Sequence, residues 1–461
     1  MAAPVSSKRP ARPDRTSGHD PADDSARFRV VARTCRAPAA AKVVAPRRAS
    51  GAAAAERWLL GRILRRLGNL PLCVELWDGR RVDSGEGPPL ALVRIRDRAT
   101  LLRLASNPGV AFGEGYAEGA IDVEGDLLAL LEAAFRARWS ATAGPAWWAR
   151  LGQAIDWLRA NTVRRSRRNV HHHYDITEDF YRLWLDDEMV YTCAYFADPA
   201  TTLEEAQRAK MDYVCRKLRL RPGESVVEAG CGWGALALFM ARNYGVRVRA
   251  YNLSHAQTAF ARQRAEAEGL ASRVEFIEDD YRSISGRYDA FVSVGMLEHV
   301  GRKQYRQLGK VIDRCLEPNG RGLIHSIGRV RPAGLDGWTE RRIFPGAYPP
   351  SLKEMMGVFE PRGFSVLDVE NLRAHYARTL EHWLSRYEAH KQQVAEMFDE
   401  RFVRTWQLYL TGSIAGFTTG TLQLFQVVFA RTAAAEVPWS RAWLYADRPE
   451  SSRTVCRPAT C

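Results

Sequence analysis

Three glycines at alternate positions, in Val227-Glu228-Ala229-Gly230-Cys231-Gly232-Trp233-Gly234, constrain the fold of this chain more than any other feature. An apolar run, Ser225–Ala229, leads into them, and a helix-forming run to about Tyr244 leaves them. Glycine belongs where backbone must take positive φ or approach a ligand without a Cβ. Ligands of open parallel sheets bind at the carboxyl ends of the strands, where such a loop lies. Dinucleotides call for GxGxxG with pyrophosphate at the helix N-terminus. Here the pattern is E-x-G-x-G-x-G, and the acidic Glu228 suits a cationic or hydroxyl-rich ligand instead. The loop therefore predicts S-adenosylmethionine, bound by Glu228, Gly230, Gly232 and Gly234. A glycine turn without a ligand is the alternative.

Strand and helix patterns alternate around this loop. Thr202 and Glu205 form a capping box that starts a helix to about Leu218. Strands are expected at Ser225–Ala229, Val246–Asn252, Val274–Ile277, Ala290–Val294 and Gly322–Ser326, with a helix from Ser254 to Glu268. Further helices are expected near Leu352–Glu360 and His375–Phe398, and strands at Phe364–Val369 and Leu422–Ala430. The fold class is α/β: a doubly wound, mostly parallel sheet, Rossmann-like as in methyltransferases, with a small α+β N-terminal domain. The second strand ends at Asn252 where many such enzymes carry an acid for the ribose, so a neutral contact is implied, with Ser254 and Gln257 adding hydrogen bonds. At the third strand end, Asp279 or Asp280 faces the adenine amino group, and Asp280 is preferred.

Residues 1–50 hold eleven Lys/Arg and four Asp, half of the chain's net charge of +14. They are Ala-, Pro-, Arg- and Ser-rich without periodicity and read as a disordered basic tail. Residues 51–150 read as the small N-terminal domain. It opens on an amphipathic helix carrying Leu59, Leu60, Ile63, Leu64 and Leu67 between Arg57, Arg62, Arg65 and Arg66. That helix packs on its own domain or meets a membrane surface. Residues 151–440 form the cofactor domain, entered through the basic run Arg164–Arg168, and 441–461 a loose tail. The eight cysteines show no CxxC pair or zinc spacing and read as reduced thiols. No metal is expected: Glu298-His299 lacks a third ligand, and His171-His172 read as a solvated turn. No apolar run of about 18 residues occurs, so no membrane span is expected. The mild basic surplus points to an anionic partner, phospholipid before nucleic acid.

Six segments in order resemble the cyclopropane-fatty-acyl-phospholipid synthase family from about residue 55 to about 440. They are His173-Tyr174-Asp175 with Asp179-Phe180-Tyr181; Tyr191-Thr192-Cys193-Ala194-Tyr195-Phe196; the Gly230–Gly234 loop with Trp233, followed by Asn252-Leu253-Ser254 and Gln257; Val294–Gly301; His325-Ser326-Ile327-Gly328; and His375–Leu380 with Trp383. The resemblance implies transfer of a methylene group from S-adenosylmethionine to the cis double bond of unsaturated phospholipid acyl chains. The carbocation formed loses a proton and closes to a cyclopropane ring. Such a site must be dry, must stabilise positive charge on aromatic faces and must hold a base. Trp184, Tyr195 and Phe196 are candidate lining, although aromatic residues at such positions are more often plain core. The base implied is bound bicarbonate, held by Cys193 (backbone), Glu298, His325, Ile327 (backbone) and Tyr376. Glu298 beside an anion would have to be protonated or share the proton. Tyr191, Thr192, Leu253 and Tyr281 join the implied cofactor set. A homodimer is implied as well, cytoplasmic and peripheral at the anionic inner face of the cell membrane, with the N-terminal domain serving docking or pairing. A methyl-branched or methylene acyl product is the alternative outcome.

Overall fold

The computed structural model describes residues 54–141, 177–434 and 437–445. The tail 1–50, the run Arg164–Arg168 and the segment around His173 lie outside them. Two sheets are present. The smaller has four strands, β1 (Leu72–Glu75), β2 (Arg81–Ser84), β3 (Ala91–Ile95) and β4 (Ile121–Gly125), in the order β2-β1-β3-β4. The larger has seven: β5 (Ser225–Ala229), β6 (Arg247–Asn252), β7 (Val274–Glu278), β8 (Tyr288–Val294), β9 (Leu316–Gly328), β10 (Phe364–Asn371) and β11 (Gln423–Arg431). Their order is β10-β11-β9-β8-β5-β6-β7. Neighbours from β9 to β7 pair in parallel, and β11 runs antiparallel to both β9 and β10. This is the expected doubly wound, mostly parallel sheet.

Local chemistry sets the element ends. Thr202 and Glu205 close the expected capping box on the Leu203–Lys217 helix, each side chain accepting from the other's backbone N–H. Ser254 caps the His255–Ala267 helix by accepting from the Gln257 N–H. The strands of the parallel sheet are apolar on both faces, as burial between helix layers requires.

In the small sheet's layer the sequence pattern predicts strands around Cys73–Trp77 and Leu90–Ile95 and helices near Ala99–Ala105 and Leu127–Ala137; β2, β4 and the Pro108–Ala117 helix add to these. The amphipathic helix, Ala54–Arg66, sends Leu60, Ile63 and Leu64 into the core of that layer and leaves Trp58 exposed. A larger difference lies near the C-terminus. The expected His375–Phe398 helix is two, Arg373–Ala389 and Lys391–Met397, divided at His390. Behind them stands a 19-residue helix, Glu400–Thr418, in a stretch with no expected element.

That helix joins the two layers. Tyr116 donates to Gln407 Oε1 at 3.0 Å, and Arg404 Nε donates to the Tyr116 carbonyl at 2.6 Å. The Arg404 guanidinium also lies over the Tyr116 ring. Nearby, Gly113 sits against the Trp338 indole so closely that an added Cβ would fall 2.4 Å from it. No helix of the described residues is long and apolar enough to cross a membrane.

Candidate active site

The glycine loop forms one wall of a cavity of about 260 Å³, many times the ~10–15 Å³ one water needs. Gly230, Gly232 and Gly234 all have positive φ, of +84°, +53° and +87°. The N–H groups of Gly230 and Cys231 donate to the Tyr251 carbonyl at the end of β6, at 2.9 and 3.1 Å. Asn252 Nδ2 ties down the Gly232 carbonyl at 3.1 Å. A Cβ added to Gly232 would meet nothing within 4 Å, so this glycine opens space on the cavity wall. Gly234 does different work. A Cβ there would lie 2.7 Å from Ala261 and 2.8 Å from Phe276, so Gly234 permits close packing and does not line the cavity.

Of the remaining expected cofactor residues, Tyr191, Thr192, Glu228, Asn252, Leu253, Gln257, Asp280 and Tyr281 line the cavity and Ser254 does not. Ser254 is the buried helix cap. The Asn252 amide is committed to Gly232 and to Gln257 Oε1 (2.8 Å), so its contribution is to hold the loop's shape. Asp280 caps the short turn after β7 through Oδ1 and pairs with Arg282 through Oδ2 at 2.9 Å. Both its oxygens are engaged, and Asp279 lines the cavity beside it.

Glu228 is buried, and its Oε2 has no hydrogen-bond partner. Burial pushes its carboxyl up to about 8, against the pull of the Lys210 ammonium. Lys210 comes from the Leu203–Lys217 helix, lines the same cavity and donates to Thr192 Oγ1 at 3.0 Å. Burial brings it down to about 8, opposed chiefly by Asp186. Sequence reasoning missed Lys210. The available signal was a lysine on the helix stripe shared with Leu203, Ala206, Gln207, Met211 and Val214, where a solvated lysine does not belong. Gln207 sets the Tyr191-Thr192 segment by donating to the carbonyls of Val190 and Thr192. The buried carboxylate, buried ammonium and open glycine fit a ligand that is itself a zwitterion.

A second group of expected residues lies next to the first. Glu298, Ile327 and Tyr376 line the cavity, whereas Cys193 and His325 are buried behind it. Glu298 Oε1 accepts from the Ile327 backbone N–H at 2.5 Å, so that N–H is turned towards the carboxylate. Glu298 Oε2 and His325 Nε2 are buried without partners. Burial pushes the Glu298 carboxyl up to about 7 and drives His325 well below its ordinary value, so the imidazole stays neutral. The Cys193 thiol donates to the Ala194 carbonyl, and burial raises its pKa, which leaves no thiolate nucleophile. Tyr376 stacks on Phe417 at 4.6 Å.

The aromatic lining is not the expected one. Trp184 is fully buried core, Tyr195 stacks between Tyr213 and His375, and Phe196 stacks on His382. The faces that line the cavity are Phe344, Tyr409 and Phe417 with Tyr191 and Tyr376, together with Leu335, Leu380 and Leu422. Tyr409 and Phe417 belong to the Glu400–Thr418 helix. The cavity thus passes without a break from a polar cradle at the loop to an apolar wall. Among the described residues no group of three His, Cys, Asp or Glu is placed to hold a metal ion.

The raised carboxyls have a stability consequence. A carboxyl whose pKa rises on folding holds its proton more tightly in the native state, so stability falls as pH climbs from 4.5 towards 7 to 8. The buried histidines, held neutral, act in the opposite direction. The Glu228 contribution is therefore isolated by comparison: the ligand-free parent should lose stability relative to Glu228→Gln between pH 5 and pH 8, and the gap in melting temperature between the two should change with pH. A gap that stays constant across that range would remove Glu228 as a source of the effect.

Residues 161–427 match the family model described as mycolic acid cyclopropane synthetase, and residues 59–144 match a domain of unknown function. A probable fatty acid methyltransferase of Pseudomonas putida is 34% identical over 388 residues, covering 82% of this chain and 97% of its own length. The cyclopropane-fatty-acyl-phospholipid synthase of Escherichia coli is 41% identical over 260 residues, 56% of this chain and 66% of that one. Among solved structures, mycolic acid cyclopropane synthase CmaA1 complexed with SAH and CTAB superposes with a TM-score of 0.55 at 31% identity, over 57% of this chain and 98% of that one.

Proposed function

Because this chain belongs to the cyclopropane synthase family of S-adenosylmethionine-dependent methyltransferases, we propose that it adds a one-carbon unit to the cis double bond of an unsaturated acyl chain of a membrane phospholipid and closes it to a cyclopropane ring. The observation that carries this reading is the continuity of the cavity. A polar cradle for the cofactor opens directly onto the Phe344, Tyr409, Phe417 and Leu422 wall, which suits a hydrocarbon chain and excludes water.

Bound S-adenosylmethionine supplies an electrophilic methyl group. Glu228 would face its ammonium and Lys210 its carboxylate, and Gly232 would let the backbone approach. The faces of Tyr376, Tyr409 and Phe417 border the place where positive charge develops. Glu298, His325, Tyr376 and the backbone of Cys193 would hold bicarbonate, which supplies the base, with Glu298 itself fixed by the Ile327 N–H. Two buried, unpartnered polar atoms, Glu298 Oε2 and His325 Nε2, support this assignment. So does a Glu298 carboxyl that holds its proton up to about 7 and can therefore sit beside an anion. At the membrane, the Ala54–Arg66 helix offers an exposed Trp58 under Arg62, an apolar and basic pair suited to an anionic bilayer surface.

Purified protein incubated with S-adenosylmethionine and vesicles of cis-unsaturated phospholipid should add one CH₂ to the acyl chains in mass spectrometry, with cyclopropane ring protons replacing olefinic ones in NMR. Unchanged acyl chains would refute the reading. The Pseudomonas putida relative, matched along nearly its whole length, is named a fatty acid methyltransferase and favours a second outcome. The same mass gain without ring protons would mark a methylene or an unsaturated methyl-branched product.

A further inference from the structure

Sheet register places three polar side chains in one row across neighbouring strands: His325 of β9 opposite Gln426 of β11, and Gln426 opposite Glu370 of β10. Lys217, the last residue of the Leu203–Lys217 helix, reaches this row. Its ammonium donates to Glu370 Oε2 at 2.5 Å and to Gln426 Oε1 at 2.8 Å, and lies 3.7 Å from Asp368 Oδ2. Gln426 Nε2 in turn lies 3.0 Å from His325 Nδ1. Gln426 is fully buried, and Lys217 and His325 are each 2% exposed.

These contacts permit one arrangement of hydrogens. An ammonium only donates, so it holds the oxygen end of the Gln426 amide. The amide's NH₂ end must then face His325 Nδ1. An NH₂ only donates as well, so Nδ1 has to accept, and the single proton of a neutral imidazole is left on Nε2. Reversing the amide would set its NH₂ against the NH₃⁺ of Lys217, two donors with no acceptor between them. Nε2 is the buried atom of His325 that has no partner in the protein.

We infer that Lys217 and Gln426 are positioning residues that lock His325 in its Nε2–H tautomer and so make it a hydrogen-bond donor to an anion. The inference rests on the reading of His325 as a holder of bicarbonate, and it explains why a histidine so deeply buried presents a proton and not a lone pair. The nearest physical parallel is the orienting partner behind a catalytic or metal-bound histidine.

Gln426→Glu tests it at constant shape. A carboxylate accepts from Lys217 and from His325 alike, so the imidazole proton should move to Nδ1. With ¹⁵N-histidine-labelled full-length protein, and the His325 signals identified by their loss in His325→Gln, the two ring nitrogens should exchange their protonated and unprotonated shifts. Turnover should fall by roughly 10–100-fold while S-adenosylhomocysteine affinity stays within about threefold. Gln426→Leu, which adds no charge, should instead give a mixture of tautomers, and it serves if the Glu variant does not fold. A proton that remains on Nε2 in either variant overturns the inference. A proton that moves while turnover and [¹³C]bicarbonate binding stay unchanged upholds the lock and overturns the role given to His325.

Discussion

Glu298→Gln is expected to lower turnover by roughly 10²–10⁴-fold while shifting the dissociation constant for S-adenosylhomocysteine by no more than about threefold. The substitution keeps the shape, and its amide oxygen can still accept from the Ile327 N–H that Glu298 Oε1 now holds. What changes is the other atom. Oε2, buried on the cavity side without a partner, becomes an NH₂ that cannot take or return a proton. Steady-state kinetics and calorimetric titration of the same preparation separate the two effects. Parallel losses in turnover and affinity would move Glu298 from the base site to the cofactor site.

Glu228→Gln should do the reverse and act mainly on affinity. Replacing a buried carboxyl that ionises against the ligand's ammonium by a neutral amide costs about 2–4 kcal/mol, or roughly 30- to 1,000-fold in the dissociation constant for S-adenosylhomocysteine. Lys210→Met should weaken the same ligand by a similar factor but leave 5′-methylthioadenosine, which has neither carboxylate nor ammonium, nearly unaffected. If methylthioadenosine weakens as much as S-adenosylhomocysteine in both variants, the pair shapes the cavity and does not read the ligand's charges.

Much of this site was legible in the sequence because its chemistry sits on strand ends. The E-x-G-x-G-x-G turn and the strand carrying His325 follow from apolar runs that stop abruptly, and both fell where expected. The contributions from helices were harder to read. Lys210 lies on an apolar stripe, and only the fold shows that the stripe faces a cavity. The Glu400–Thr418 helix was missed because most of its circumference is buried, which erases the polar face that marks a helix. Only four residues separate its end from β11. Trp184, Tyr195 and Phe196 pack on other rings and not on the cavity, and the sequence leaves both readings open: an aromatic residue near a functional motif looks the same whether it faces a ligand or the next ring in the core.

The Glu400–Thr418 helix is also a party wall. One side, at Arg404 and Gln407, is bonded to the small-sheet layer. The other presents Tyr409 and Phe417 to the space where the acyl chain is proposed to lie. At about 1.5 Å per residue it is a rigid rod of roughly 28 Å. Natural variation in the small-sheet layer would therefore be felt as a change in the bore of the hydrocarbon channel. Chain-length preference could drift through residues that never touch a lipid.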